Sequence, residues 1–219
     1  MTERTLLVTG FEPFGGETVN ASWEAASRLE GWRGEGFVAA ARKLPCVYDV
    51  CVVELSRLFE ALLPAAILMT GQAARRSVVS VERIARNEAS AVTPDNHGVV
   101  RGLNAAADTG RPWLESGACV GRIARAILGA GVPARVSVNA GDYVCNHLYY
   151  GTLVWLHEAA PQTPAVFIHL PATPRQLPRR RGGLATERAV RALQAAAGPL
   201  MAMRGAYGAA DAIRAPSAA

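Results

Sequence analysis

The segment "RVSVNAGDYVCNHLYYG", residues 135–151, changes from a strand pattern to a helix pattern within a few residues. Arg135–Val138 has the β-branched character of a short strand. The small and polar residues "NAGD" indicate a turn, and an apolar, aromatic helix pattern begins near Val144. A strand joined to a helix by a short turn is the repeating unit of α/β proteins. The segment therefore predicts an α/β fold, with Cys145 in the first turn of a helix.

The same alternation of strand and helix patterns runs along most of the chain, as expected for a largely parallel sheet. The predicted strands are Thr5–Thr9, Gly36–Leu44, Ala65–Thr70, Val78–Ala85, Arg135–Val138 and Ala165–His169. The predicted helices are Asn20–Glu30, Val50–Leu62, Ser116–Leu128, Val144–Glu158 and Ala185–Ala197, with Asn20 as the N-cap of the first. Residues 88–112 show weak periodicity, and whether they include a hairpin stays open.

Length and composition predict one globular domain outside the membrane. The 219 residues are expected to form a single domain, residues 1–219, of which 207–219 form a flexible tail. Hydrophobic residues make up 50% and charged residues 19%, as in ordinary globular proteins. The chain has no apolar run long enough for a membrane span, and its first ten residues are too polar for a signal peptide. We therefore expect a cytoplasmic protein.

The four cysteines predict neither disulfides nor a metal site. They are Cys46, Cys51, Cys119 and Cys145. No CxxC pair and no zinc-ligand spacing occurs among them. In a reducing cytoplasm they are expected to be free thiols.

The basic charge and the glycine-rich segments do not indicate a nucleic-acid or nucleotide partner. The net charge is +5, but only "PRQLPRRRGG", residues 174–183, concentrates it, and no aromatic residue lies within that run. The segment "GFEPFGGE", residues 10–17, lacks the lysine of a phosphate loop, and no GxGxxG motif occurs. Phe11 and Phe14 follow the first strand, where ligands bind in open α/β sheets. Whether these two rings line a pocket or belong to the core stays open at this point.

Cys145 is either a buried thiol or a nucleophile. The start of a helix lowers the pKa of a cysteine, which favours the thiolate. A nucleophilic cysteine also needs a base. His147 and His157 lie on the same predicted helix at positions that cannot reach the thiol, and His97 lies in the irregular segment. His169 ends the strand that follows, and neighbouring parallel strands bring their carboxyl ends to one edge of a sheet. His169 is therefore the predicted base.

Glu82 is the predicted acid that orients this histidine. It lies between Val81 and Ile84 in a strand pattern, where a buried carboxylate needs a partner. An imidazole would serve, as in catalytic triads. The alternative is a purely structural pairing of Glu82 with Arg76 or Arg83. The weaker candidates for the acid are Glu88 and Asp95 in the irregular segment and Asp142, which would more simply cap the helix.

Four segments carry a resemblance to a known family. They are "LLVTGFEPFGGETVNAS" (residues 6–22), "GQAARRSVVSVERIARN" (71–87), "SVNAGDYVCNHLYYGTL" (137–153) and "AVFIHLP" (165–171). In these segments the chain resembles the type I pyroglutamyl peptidases, also called pyrrolidone-carboxylate peptidases. The resemblance implies a three-layer αβα sandwich around a mostly parallel sheet. It also implies a cytosolic cysteine exopeptidase that removes N-terminal pyroglutamate, works without metal or organic cofactor, and commonly forms a homotetramer.

The resemblance also assigns roles to individual residues. The nucleophile falls on Cys145, the base on His169 and the acid on Glu82. The residues implied at the pyroglutamyl group are Phe11, Phe14, Asn20, Gln72 and Tyr143.

Four positions depart from the pattern of the family. Ala74 and Arg75 stand where the family's turn typically has glycines. Val92 stands where an arginine is expected, and Arg86 stands where the family has an aliphatic residue. A catalytically weakened protein that binds pyroglutamyl peptides is therefore one alternative. A nucleoside-phosphorylase-like enzyme is the other, and it rests on similarity of fold alone.

Overall fold

The computed structural model describes residues 3–102, 106, 109, 111–177 and 183–203. The predicted tail, 207–219, and the centre of the basic run, 178–182, lie outside the described residues. The strands are β1 (Arg4–Phe11), β2 (Arg33–Gly34), β3 (Phe37–Leu44), β4 (Ala66–Gln72), β5 (Val79–Glu82), β6 (Ile84–Arg86), β7 (Trp113–Glu115), β8 (Ala134–Ser137) and β9 (Ala165–Leu170). The helices are α1 (Ala21–Ala26), α2 (Val50–Leu62), α3 (Val120–Gly129), α4 (Val144–Ala159) and α5 (Thr186–Met201). Short 3-10 turns occupy Ser27–Leu29 and Pro174–Gln176.

Seven of the strands form one sheet in the order β2-β3-β1-β4-β9-β5-β8. The strands β3, β1, β4 and β9 are parallel to one another. The edge strand β2 is antiparallel to β3, and β5 is antiparallel to β9 but parallel to β8. The strands β6 and β7 pair as a separate antiparallel ribbon, so a hairpin-like pair does border the irregular segment.

Helices cover both faces of the sheet. Val166 and Ile168 of β9 point into an apolar cluster with residues of α1, α3 and α5. Ala165 and Phe167 of the same strand point into a second cluster with residues of α2 and α4. Because successive side chains of a strand point to opposite faces, each buried strand supplies both clusters. The three-layer αβα sandwich with a mostly parallel sheet is thus confirmed. Within the described part of the chain, none of the helices has the length and apolar character needed to cross a membrane.

The predicted relation between the strands before Cys145 and His169 is wrong. We expected β8 and β9 to be parallel neighbours, but β5 lies between them and both β5 and β8 run opposite to β9. The cause lies in the connection from β4 to β5, residues 73–78. So short a segment cannot return the chain to the opposite edge of the sheet, which a parallel crossover requires. The chain therefore re-enters the sheet from the edge at which β4 ends.

Several predicted boundaries also move. The predicted strand Val78–Ala85 is two strands that separate at Arg83 and join different sheets. The helix predicted from Ser116 begins at Val120, because the Ser116 hydroxyl accepts the N–H of Ala118 and holds a turn. The last helix continues through Pro199 to Met201. The N-cap prediction is confirmed, since the side chain of Asn20 accepts the N–H of Ser22.

Candidate active site

A turn with one left-handed glycine leads into the helix that carries Cys145. Gly141 has a φ of 87°, which favours glycine, and its N–H donates to the side chain of Asn139 at 2.8 Å. Helix α4 then begins at Val144, with Tyr143 as an N-cap whose side chain makes no capping bond. Asp142 does not cap the helix, because its carboxylate accepts from the hydroxyl of Ser90 at 3.3 Å.

The sulfur of Cys145 lies against a glycine in the centre of the sheet. A Cβ atom added to Gly71 of β4 would lie 2.8 Å from Cys145 Sγ and 2.8 Å from Cζ of Phe167. A side chain at position 71 would therefore collide with the thiol. Gly71 is also the register partner of His169 on β9. Phe167 and His169 point to the same face of β9, with ring centroids 4.8 Å apart. The thiol and the imidazole thus lie over neighbouring strands on one face of the sheet.

Glu82 binds the imidazole from the other side. His169 Nδ1 lies 2.8 Å from Glu82 Oε1, and both side chains are buried, with 4% and 0% of their surface exposed. With Nδ1 bonded to the carboxylate, Nε2 is the nitrogen that can exchange a proton with a thiol. Arg76 contacts the same oxygen of Glu82 and donates to the carbonyl of Asn139 at 2.6 Å. Glu82 therefore has both of its predicted partners, the histidine and Arg76.

The electrostatics of this pair follow from burial and mutual contact. Burial acts most strongly on Glu82 and favours a raised pKa, but the hydrogen bond and charge of His169, with Ser137 and Arg76, bring the pKa below its usual value. Burial is also the largest effect on His169 and lowers its pKa, while Glu82 opposes this. The site therefore favours an ionised carboxylate beside a neutral imidazole.

The protonation state of Cys145 differs from the sequence expectation. The position at a helix start predicts a lowered pKa, but burial raises the pKa of the Cys145 thiol well above its ordinary value. The neighbouring groups Cys46, Cys51 and Glu82 act in the same direction, and Arg76 opposes them. The resting thiol therefore depends on a base for its activation.

Aromatic rings lie beside the start of α4. The rings of Phe14 and Tyr143 have centroids 5.6 Å apart, and Tyr48 packs edge-on against Tyr143 at 5.8 Å. The hydroxyl of Tyr143 donates to the carbonyl of Pro94 at 2.9 Å. Phe11 is fully buried in the core cluster under this group. The structure thus separates the two phenylalanines into one partly buried ring and one core ring.

The two predicted amide residues are engaged within the protein. The side chain of Asn20 donates to the carbonyl of Glu12 at 2.9 Å in addition to capping α1. The oxygen of the Gln72 side chain accepts the N–H of Ala21 at 2.7 Å and the side-chain N–H of Gln176 at 3.0 Å. These bonds join β4, α1 and the 3-10 turn after β9. Their role at the substrate stays a prediction.

Two positions at which the chain departs from the family pattern, Arg86 and Val92, lie next to or within the irregular segment. Val92 is 87% exposed, and Arg86 forms an ion pair with Glu88. Asp95 is buried in the same irregular segment, where its carboxylate accepts the N–H groups of Tyr48, His97 and Val99. Asp95 therefore organises a loop and does not reach the imidazole.

Sequence reasoning missed residues that tie α4 to the segments around the three candidate residues. The hydroxyl of Tyr149 on α4 donates to the carbonyl of Glu82 at 2.9 Å. The side chain of Asn146 bonds the backbone of Arg86 and Glu88. Neither residue had a sequence signal. The sequence could have indicated only Gly71, because a glycine within a strand often marks a close approach of another group.

The other histidines make separate contacts. His147 lies 2.9 Å from a carboxylate oxygen of Asp49, and His157 lies 2.7 Å from the carbonyl of Leu153 on its own helix. Across the described residues, no three histidine, cysteine or acidic side chains gather as metal ligands would.

Comparison with known proteins places the chain in a family. A family model described as pyroglutamyl peptidase matches residues 4–202. The chain belongs to the pyroglutamyl peptidase family. The resemblance carried by the four sequence segments is thereby confirmed.

Individual members of the pyroglutamyl peptidase family agree in sequence and in fold. A pyrrolidone-carboxylate peptidase 2 of Photorhabdus laumondii is 39% identical over 197 residues, 89% of this chain and 90% of the relative. The pyrrolidone-carboxylate peptidase of Chromobacterium violaceum is 42% identical over 82% of this chain and 83% of its own length. The crystal structure of pyroglutamyl peptidase I from Bacillus amyloliquefaciens superposes with a TM-score of 0.89 at 35% identity, over 92% of this chain and 98% of that one.

Proposed function

We propose that this protein is a cysteine exopeptidase that removes N-terminal pyroglutamate from peptides. One observation carries the proposal: the Cys145 thiol lies over the strand beside His169, and the buried carboxylate of Glu82 binds that imidazole. Nucleophile, base and orienting acid are the parts that acyl transfer by a cysteine requires. Family membership supports pyroglutamyl peptides as the substrate class.

The reaction begins with activation of the buried thiol. As the sulfur of Cys145 attacks the pyroglutamyl carbonyl carbon, its proton passes to Nε2 of His169 and the carbonyl electrons move to oxygen. The first N–H groups of α4 have no acceptor within the helix and can stabilise that oxyanion. Glu82 remains ionised and stabilises the imidazolium.

The intermediate then releases the shortened peptide. The bond between carbonyl carbon and nitrogen breaks, and the leaving amine takes the proton from His169. A pyroglutamyl thioester remains on Cys145. His169 next accepts a proton from water, whose oxygen attacks the thioester carbon. Breaking of the carbon–sulfur bond frees pyroglutamic acid, and the proton returns to the sulfur.

Recognition of the lactam follows from the aromatic group. The pyroglutamyl ring is small, flat and without a charged amine, which suits contact with apolar faces. Phe14 and Tyr143 are the partly buried rings beside the nucleophile helix, and they are proposed to hold the lactam. Phe11 supports them from the core, and Asn20 and Gln72 are proposed to contribute polar contacts or to hold the surrounding segments.

We also propose a single-domain, cytoplasmic protein that assembles as a homo-oligomer, in line with the tetramers implied by the resemblance. Light scattering of the purified protein tests the assembly, and a mass equal to one chain would contradict it.

Hydrolysis of a chromogenic pyroglutamyl amide tests the proposed function, with the matching prolyl amide as the substrate control. The wild type should release the chromophore only from the lactam, and Cys145→Ala should abolish release. Cys119→Ser is the matched control, because this thiol is exposed and lies outside the cluster that contains Cys145. Full activity of Cys145→Ala would contradict the cysteine mechanism.

The same measurements test the two alternatives. A weakened binding protein would bind the lactam without turnover, and the exposed Val92 is the feature on which that hypothesis rests. A phosphorylase would release a base from a nucleoside only in the presence of phosphate, and Cys145 would be dispensable for it. Family membership favours the peptidase over both.

A further inference from the structure

We infer that Arg76 is a positioning residue of this active site, which neutralises the buried carboxylate of Glu82 and tethers the turn that leads to Cys145. The inference rests on the proposed function and adds a fourth side chain to it. Arg76 touches none of the reacting atoms in the proposed reaction, so it would act only through the triad and the turn.

The guanidinium of Arg76 makes two different contacts. Nη1 forms an ion pair with Oε1 of Glu82, and Nη2 donates to the carbonyl of Asn139 at 2.6 Å. The Arg76 side chain is only 18% exposed, so water screens these contacts weakly. Arg75, the preceding residue, is exposed and provides a natural comparison.

The first contact acts on the base. The oxygen of Glu82 that Arg76 contacts is the same oxygen that accepts from Nδ1 of His169. A fully buried carboxylate is costly unless it is paired, and an imidazole that must be neutral at rest cannot balance its charge. Arg76 supplies the missing positive charge permanently, because a guanidinium stays protonated.

The second contact acts on the nucleophile. The carbonyl of Asn139 belongs to the turn before α4, and the side chain of the same residue accepts the N–H of Gly141. Cys145 follows in the first turn of that helix. One planar guanidinium therefore links the strand of the acid to the turn of the nucleophile, which fixes the two relative to each other.

The charge of Arg76 reaches all three members of the triad. The groups that shift the pKa of Cys145 are Cys46, Cys51, Glu82 and Arg76. The pKa of His169 is shifted by Glu82 and Arg76. The pKa of Glu82 is shifted by His169, Ser137 and Arg76. In each case the positive charge lowers the pKa of the group. Among the described residues that shift these three pKa values, Arg76 is the only one with a permanent positive charge.

Removing that charge should move the pH dependence of catalysis. In Arg76→Gln the pKa values of His169 and of Cys145 both rise, so both limbs of the kcat/KM profile move to higher pH. The expected shift is about one pH unit, the scale of a charge pair at several ångströms in a partly buried site. KM should stay near the wild-type value, because Arg76 does not touch the substrate. Arg75→Gln is the matched control and should leave the profile in place.

Arg76→Lys separates the charge from the tether. Lysine keeps the positive charge but cannot span both acceptors with a planar fork. The profile should therefore stay at the wild-type pH, while kcat falls several-fold. Arg76→Met is a second neutral variant in case Arg76→Gln does not fold. If neither neutral variant folds, a lowered kcat with unchanged KM in Arg76→Lys still supports the inference, and an unchanged kcat overturns it.

The remaining outcomes also decide the matter. An unshifted profile in a folded neutral variant overturns the role of the charge, as does an equal shift in Arg76→Lys. Absence of hydrolysis in the wild type and in Arg75→Gln would instead contradict the proposed function, so the two failures are distinguishable.

Discussion

Two buried histidines in this protein each contact a carboxylate, yet only one of them lies beside a candidate nucleophile. His169 Nδ1 is 2.8 Å from Glu82, and His147 Nε2 is 2.9 Å from Asp49. The two imidazoles are 4% and 3% exposed, and burial is the largest cause of a lowered pKa in both. By distance and by burial of the ring, the two pairs are nearly equal.

The difference lies in the carboxylates and in what surrounds them. Glu82 is fully buried in β5, whereas the Asp49 side chain is 64% exposed in the turn before α2. Water therefore screens the charge of Asp49 but hardly screens that of Glu82. His147 lines a groove of about 380 Å³ between α2 and α4, while His169 is the register partner of Gly71, against which the thiol of Cys145 packs. A short histidine–carboxylate contact alone does not make a catalytic pair.

Replacing each histidine by glutamine should give the largest contrast between the two pairs, measured as the loss of kcat/KM. His169→Gln removes the base and should lower kcat/KM by roughly 10²–10⁴-fold. His147→Gln should leave kcat/KM within a few-fold of the wild type once only folded protein is counted. Hydrolysis of the pyroglutamyl amide, measured well below the thermal unfolding of both variants, checks the contrast. Equal losses in the two variants would show that the pairs are not functionally distinct.

Neutralising each carboxylate should give a smaller contrast in kcat, together with a shift of the pH profile for one of the two pairs. Glu82→Gln keeps a hydrogen-bonding group beside the imidazole but cannot stabilise the imidazolium, so kcat should fall by about 10²-fold or more with little change in KM. Glu82 raises the pKa of His169, so its neutralisation lowers that pKa. The limb of the kcat/KM profile that reports loss of the imidazolium proton should therefore move to lower pH.

Asp49→Asn is the matched control for this change. It removes an exposed carboxylate that also pairs with Arg101, and it should leave the pH profile in place. A lower melting temperature without any shift of the profile in Glu82→Gln would mean that Glu82 serves only as a structural partner of Arg76. The direction of the Glu82→Gln shift is opposite to that expected for Arg76→Gln, which links the two tests.

Replacing one aromatic residue near each histidine–carboxylate pair should give the smallest contrast, a difference in KM. Phe14→Ala removes a ring beside the start of α4 and should raise KM for the pyroglutamyl amide about tenfold, because a small ligand depends on few contacts. Trp155→Ala removes a ring that lines the groove near His147 and should leave KM unchanged. An unchanged KM in Phe14→Ala would remove this ring from the binding site.

Phe11 needs a different readout. It is fully buried in the core, so Phe11→Ala should lower the free energy of unfolding by about 3–5 kcal/mol. Its kinetic effect is therefore interpretable only in the folded fraction of the variant.

Local patterns predicted most of the helices and strands and singled out the candidate site residues. The helix start at Val144, the strand that ends in a histidine and the buried carboxylate at Glu82 follow from side-chain periodicity and from residue types out of place in an apolar setting. The family resemblance is confirmed by the match over residues 4–202. The catalytic roles of Glu82, Cys145 and His169 remain predictions to be tested as described above.

The antiparallel entry of β5, by contrast, depends on a pairing between segments far apart in the chain. The break at Arg83 has the same origin, because β6 leaves the main sheet to pair with β7. Local periodicity reports which residues are buried but not which strands become neighbours. For the same reason the sequence offered Arg76 as a partner of Glu82 but did not predict its second contact, with the carbonyl of Asn139, more than fifty residues from Glu82 in the chain.

The sequence by itself determined the chemistry that this protein carries: a thiol at a helix start, an imidazole at a strand end and a carboxylate within an apolar strand. Only the tertiary structure decided how they meet. Packing of α4 on Gly71 sets the place of the thiol, and burial raises its pKa against the effect of the helix start. Such effects depend on the desolvation of groups brought together by the whole fold, and desolvation is not a property of any local segment.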